Sequence, residues 1–135
     1  MISAVDSSVI LDVLADNPRF AEASLDVLRM GAQQGKLIVS ECVIAEIFPA
    51  LSDPSKLKGM LSDWELEFVP STFESAAVAG QMFAAYLKRS SEKRKVIADF
   101  LIGAHALVHA DRLIARDRGY FRDYFKALSI LDPSR

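Results

Sequence analysis

The sequence predicts an α/β fold in which a five-stranded, mainly parallel sheet is covered by helices. Two patterns carry that reading. Short apolar runs at 2–5, 37–39, 67–69, 113–115 and 128–131 alternate with longer helix-like segments, the arrangement a parallel sheet needs because each parallel pair requires a crossover. The hydrophobic content, 51% of 135 residues, fills one buried core, so 1–135 is read as a single domain.

Taken in order, Ile2-Ser3-Ala4-Val5 forms the first strand and Asp6 ends it, with Ser7 and Ser8 placed to cap the helix that follows. Asn17-Pro18 supplies an N-cap and a proline at the first helical position for a helix over 19–34, which Gly35 stops. After the second strand, Cys42-Val43-Ile44-Ala45-Glu46-Ile47-Phe48 carries an acid inside an apolar helical segment, and Ser52-Asp53-Pro54-Ser55 turns into another short helix. Beyond the third strand, Ser71-Thr72-Phe73-Glu74 has capping-box spacing. Phe73, Ala76, Ala77, Gly80, Phe83, Ala84 and Leu87 recur there at three and four residues, which predicts that they face the core. The segment 95–109 is apolar on nearly every side and is expected to be a central, buried helix. Asp99 falls in its first turn, where the helix N-terminus favours a negative charge, and Gly103 one turn later is expected to leave room beside it.

The net charge of −2 and pI near 5.7 exclude a protein that coats nucleic acid by bulk electrostatics; any such contact must be local. One local patch exists. Lys88, Arg89, Lys93, Arg94 and Lys95 stand against Glu92 for a local charge of +4, equally readable as a solvated helix end. The lone Cys42 sits among apolar neighbours and reads as core in a reducing cytoplasm. The first residues lack the basic segment and long apolar stretch of a signal peptide, and the longest apolar stretch, 96–110, is broken by Asp99, His105 and His109 and too short to span a bilayer. A soluble, cytoplasmic protein without membrane contact is expected.

The chemistry is expected in four acids. Asp6 and Asp117 follow strands directly, while Glu46 and Asp99 interrupt apolar helical segments. Ligands of open parallel sheets bind beyond the carboxyl ends of the strands, where the strand order reverses, so the four are expected on one edge. Converging carboxylates raise one another's pKa values, and a hard divalent cation is the natural neutraliser.

In their order along the chain, Asp6-Ser7-Ser8, Ser40-Glu41-Cys42-Val43-Ile44-Ala45-Glu46-Ile47, Asp99-Phe100-Leu101-Ile102-Gly103-Ala104-His105-Ala106, Ile114-Ala115-Arg116-Asp117-Arg118-Gly119-Tyr120-Phe121 and Leu128-Ser129-Ile130-Leu131-Asp132-Pro133 resemble the successive signature blocks of PIN domains. Within that family the sequence is most similar to VapC-type toxins of bacterial toxin–antitoxin pairs. The resemblance implies a three-layer α/β/α fold and a Mg²⁺- or Mn²⁺-dependent endoribonuclease with Asp6, Glu46, Asp99 and Asp117 as metal-binding and catalytic acids. It also implies a VapB-like antitoxin that silences the enzyme, and a homodimer. One departure concerns Ala115, where family members often carry Thr or Ser two residues before the last acid; this removes a hydroxyl that would support Asp117.

Ser7, Ser8, Arg116 and Arg118 are secondary candidates for orienting groups or RNA phosphates, as are Lys93 and Arg94 in the basic patch. Trp64, Tyr120, Phe121, Tyr124 and Phe125 could stack on bases or serve as packing. His105 and His109 have zinc-compatible spacing but lack a clustered third ligand. Two other functions compete. A haloacid-dehalogenase-like phosphatase also places an Asp after its first strand, yet expects a second Asp where this chain has Ser8. A non-catalytic nucleic-acid- or protein-binding module finds support only in Ala115.

Overall fold

In the computed structural model, which describes residues 1–89 and 96–135, five strands and seven helices alternate. They run β1 (Ile2–Val5), α1 (Ser7–Leu14), α2 (Ala21–Gln34), β2 (Lys36–Val39), α3 (Glu41–Leu51), α4 (Pro54–Asp63), β3 (Leu66–Phe68), α5 (Phe73–Arg89), α6 (Ile97–His109), β4 (Arg112–Ile114), α7 (Tyr120–Tyr124) and β5 (Ile130–Leu131). The expected strands are present within a residue or two at each boundary. The sheet order is β3-β2-β1-β4-β5, and every pairing is parallel.

This order fixes where a site can form. The chain builds one half of the sheet outward from β1 through β2 to β3, then returns to the other side of β1 with β4 and β5. The reversal lies between β1 and β4, so their carboxyl ends flank the crevice of a doubly wound sheet. Consecutive residues of β1 point to opposite faces, and Ser3, Ala4 and Val5 are all buried, so both faces of the central strand are covered.

Local chemistry explains most element boundaries. Asp6 caps α1 by accepting from the Ser8 amide, and Asp53 caps α4 through the Ser55 amide, with Pro54 at the first helical position. The Asn17 side chain accepts from the amides of Arg19 and Phe20, but the helix proper begins at Ala21; Asn17 and Pro18 form a turn ahead of it. At Gly35 a Cβ would lie 1.8 Å from the Met1 carbonyl oxygen. The glycine therefore lets the start of β1 pass against the end of α2.

The α5 expectation needs correction in phase. Its buried face is Ser75, Ala79 and Tyr86, whereas Phe73 is 91% exposed and Ala76, Ala77, Gly80, Ala84 and Leu87 also face outward. Of the predicted stripe, Phe83 alone packs partly against the core. A helix rich in Ala carries apolar residues on more than one face, and periodicity cannot choose between them. The cap also shifts by one residue, because the Thr72 amide donates to the Ser75 hydroxyl at 2.9 Å and the Ser75 amide to the Thr72 hydroxyl at 3.3 Å. Helix α6 does run through the centre, with Phe100, Ile102, Gly103, Ala104, His105 and Ala106 buried. Gly103, however, makes room for Phe125, whose ring lies 2.7 Å from where a Cβ would stand, and not for Asp99.

Candidate functional site

The crevice at the switch point is a recess of about 360 Å³ that Asp6, Glu46 and Asp99 line together with Ser7, Ser8 and Arg118. Asp6 comes from the end of β1, Glu46 from the middle of α3 and Asp99 from the first turn of α6, so three crossovers deliver one acid each.

Their environments differ. Asp6 is buried at 6% exposure, and its Oδ2 accepts from the Ser8 amide at 3.2 Å and from the Ser8 hydroxyl at 2.5 Å. Burial raises its carboxyl pKa, the Ser8 bonds counteract that, and the charge of Glu46 raises it again. Asp99 is half-buried and pushed up to about 6, first by desolvation and then by Asp6, with Glu46 and Asp117 adding to the rise and Arg118 opposing it. Glu46 is exposed and accepts from the Ser7 hydroxyl at 2.9 Å. The adjacent serines thus divide their work: Ser7 holds Glu46, and Ser8 holds Asp6.

Asp117 is oriented away from this recess. Its Oδ1 accepts from the amides of Gly119 at 2.8 Å and Phe121 at 3.3 Å, and its Oδ2 accepts from the Arg122 amide at 3.0 Å. It lines a neighbouring recess with Asp132, Arg122, Lys126 and Arg135, although its charge still reaches Asp99. The hydroxyl missing at Ala115 has a structural counterpart. Ala115 is fully buried, and the Asp117 turn is supported instead by Asp132, whose Oδ2 accepts from the Asp117 amide at 3.1 Å.

Arg116 also has a structural partner. Its Nε and Nη2 donate to the two oxygens of Asp12 at 2.7 and 2.8 Å, and the guanidinium lies 4.3 Å from the Phe20 ring centroid. Asp12 is buried and accepts a further 2.8 Å bond from Ser24. Sequence reading missed both Asp12 and Asp132. Asp12 carried a signal, a charge on the apolar helix face of Val9 and Val13, but its partner lies more than a hundred residues away in the chain. Lys93, Arg94 and Lys95, with Glu92, lie outside the described residues; Arg118 is exposed at the rim of the recess.

Packing occupies several of the other candidates. His105 is buried, its Nε2 bonds the Val69 carbonyl at 2.7 Å, and burial lowers its pKa. Phe121 and Phe125 are core residues, and Tyr124 packs on Phe100. Trp64 caps the end of α4 and packs against the core. Cys42 is half-buried against the core.

All side-chain donors that the three acids and two serines present are oxygens, the set a hard cation prefers. Among the described residues, however, no group of three or more His, Cys, Asp or Glu side chains is close enough to enclose an ion by itself. No described helix is long and apolar enough to cross a membrane.

The PIN domain family model matches residues 4–126. Searching curated proteins found no match. Among solved structures, the chain is similar to one in the VapBC2 complex of Rickettsia felis, which was crystallised with a DNA fragment from its promoter, at 17% identity and a TM-score of 0.73, covering 98% of each chain. It is similar to a chain of VapBC-1 from nontypeable Haemophilus influenzae at 17% identity and a TM-score of 0.73, covering all of both chains. A chain of FitAcB from Neisseria gonorrhoeae gives 21% identity and a TM-score of 0.67, with 98% of each covered. At these identities the likeness establishes a shared fold.

Proposed function

Because the chain belongs to the PIN domain family, we propose that it is a divalent-metal-dependent endoribonuclease, and specifically the VapC-like toxin of a toxin–antitoxin pair. The observation that carries this reading is the recess shared by Asp6, Glu46 and Asp99 at the point where the strand order reverses. Family membership displaces the phosphatase alternative. Ser8, where that family expects its second acid, uses its hydroxyl to hold Asp6.

Asp6, Glu46 and Asp99 would hold Mg²⁺ or Mn²⁺, partly through water, since no three of the described side chains enclose an ion unaided and Mg²⁺ usually keeps several waters. A bound cation would supply charge neutralisation at the scissile phosphate and a more acidic water. Ser7 and Ser8 keep the Glu46 and Asp6 carboxylates oriented, at the cost of one hydroxyl bond each. Asp117 fixes the turn that carries Arg118 and adds its charge to Asp99. Arg118 stands at the rim, placed to receive a phosphate on its way to the acids.

The partner reading rests on the structural neighbours, which are VapBC and FitAB complexes: a VapB-like antitoxin would cover this recess, and a homodimer is the expected assembly. The deciding experiment is RNA cleavage by the purified protein in Mg²⁺ or Mn²⁺ and in EDTA, with Asp99→Asn in parallel. Metal-dependent cleavage that falls by about a thousandfold in the variant, roughly 4 kcal/mol of barrier, supports the proposal. Full activity in a folded Asp99→Asn protein, or equal cleavage in EDTA, defeats it.

A further inference from the structure

A second recess, of about 330 Å³, adjoins the acidic one, and the two share Arg118 and Tyr120 in their walls. Its character is opposite. Arg89 at the end of α5, Arg118 ahead of α7 and Arg122 within it surround Tyr120 and Tyr124, with Asp123 the single acid among the described residues of the wall, whereas Asp6, Glu46 and Asp99 occupy the first recess. The Arg89 guanidinium lies 5.5 Å from the Tyr124 ring centroid, within cation–π range. Arg122 is paired with Asp123 at 2.9 Å, but both side chains are more than half exposed. An exposed pair of this kind is weak, so a phosphate can compete for the arginine.

We propose that this recess is a nucleotide subsite for single-stranded RNA: Arg89, Arg118 and Arg122 take the phosphate next to the one positioned at the acids, and the Tyr120–Tyr124 wall takes the adjoining base or ribose. The inference rests on the nuclease reading and extends it by giving the substrate strand a direction, from the acids past Arg118 toward α5. Three arginines and an aromatic wall match a backbone-tracking groove with a stacking platform. Their position also reconciles an acidic chain with a polyanionic substrate, since positive charge is concentrated where the strand must leave the acids. Arg116, sequestered by Asp12, takes no part.

The test separates this subsite from catalysis by measuring binding in EDTA. The probe is a fluorescein-labelled single-stranded oligouridine, titrated at several salt concentrations against wild type, R89A/R122A and K56A/K58A. The last pair removes the same charge from exposed positions on α4, beside the opposite edge strand β3. R89A/R122A leaves every residue lining the acidic recess in place. Its slope of log affinity against log salt should fall by about 0.7, the contribution of the one phosphate these arginines take on a single strand, while K56A/K58A keeps the wild-type slope. R89K/R122K should restore the slope, which a folding defect would not allow. An unchanged slope in R89A/R122A, or an equal loss in K56A/K58A, overturns the subsite. Equal binding of an oligoglutamate peptide, lost in the same variant, overturns it in favour of an acidic protein partner. If wild type binds RNA through these arginines but never cuts it with Mn²⁺, the nuclease reading fails and the subsite stands.

Discussion

Asp6 at the start of α1 and Asp12 further along it are buried to similar depth, at 6% and 3% exposure, but the surrounding fold answers their charges in opposite ways. Asp12 receives a two-pronged bond from Arg116 and a third from Ser24, so its charge is compensated within the chain. Asp6 receives two bonds from Ser8 and then faces Glu46 and Asp99. The difference teaches how to tell a structural acid from a functional one. Burial is common to both; what separates them is whether the neighbours complete the charge balance or leave it for a ligand.

That contrast breaks most visibly at Asp12. Asp12→Asn leaves Arg116 over Phe20 without its carboxylate and should cost about 3 kcal/mol, the low end for breaking a buried pair because Arg116 retains 30% side-chain exposure. Urea denaturation would measure it. A loss below about 1 kcal/mol would remove Asp12 from the structural side of the comparison.

Next in size is the response to metal. At a Mn²⁺ concentration a hundred times its Kd, the wild type should gain about 2.7 kcal/mol, seen as a rise in Tm. Asp12→Asn should keep that gain and Asp6→Asn should lose most of it, although Asn at position 6 still caps α1. An equal gain in all three proteins would show that the cation binds elsewhere.

The pH dependence is smaller and has a definite sign. Asp99 titrates near 6 in the folded protein against an ordinary value near 4, so the folded state holds its proton more tightly than the unfolded chain does. Its contribution to stability is full below about pH 4 and is lost as pH rises through about 6. In metal-free buffer the Tm difference between Asp99→Asn and wild type should therefore widen in favour of the variant from pH 4 to 7. A constant difference would contradict the crowding of Asp99 by Asp6 and Glu46.

The smallest effect concerns Ser24, whose hydroxyl supplies one of the bonds to Asp12. Ser24→Ala should cost about 1 kcal/mol without altering Mn²⁺ binding, and equilibrium unfolding with and without the ion would check both points.

Much of this was legible from the residues in order. The alternation of apolar runs with helical segments was enough for a parallel sheet, because period and length are local properties that each segment carries. The acids at 6, 46, 99 and 117 stood out because a charge inside an apolar run or at its end is conspicuous without any knowledge of its neighbours, but nothing local separated Asp117, which lines a different recess, from the other three. The face of α5 was not legible, since Phe73 and the alanines mark one stripe while Ala79, Met82 and Tyr86 mark another, and only docking against α6 selects between them.

The sequence by itself determined the sheet, the helices and the four acids from which the site is drawn, since periodicity and local charge act over a few residues; it did not separate Asp117 from the three that share the recess. Tertiary structure alone decided which charges are answered. Arg116 reaches back to Asp12, Asp117 turns its oxygens to the amides of its own loop, and Asp6 is left facing Glu46 and Asp99 in the crevice between β1 and β4. These outcomes depend on pairings between residues far apart in the chain, whose Coulomb and hydrogen-bond energies exist only once the fold has brought them within a few ångströms.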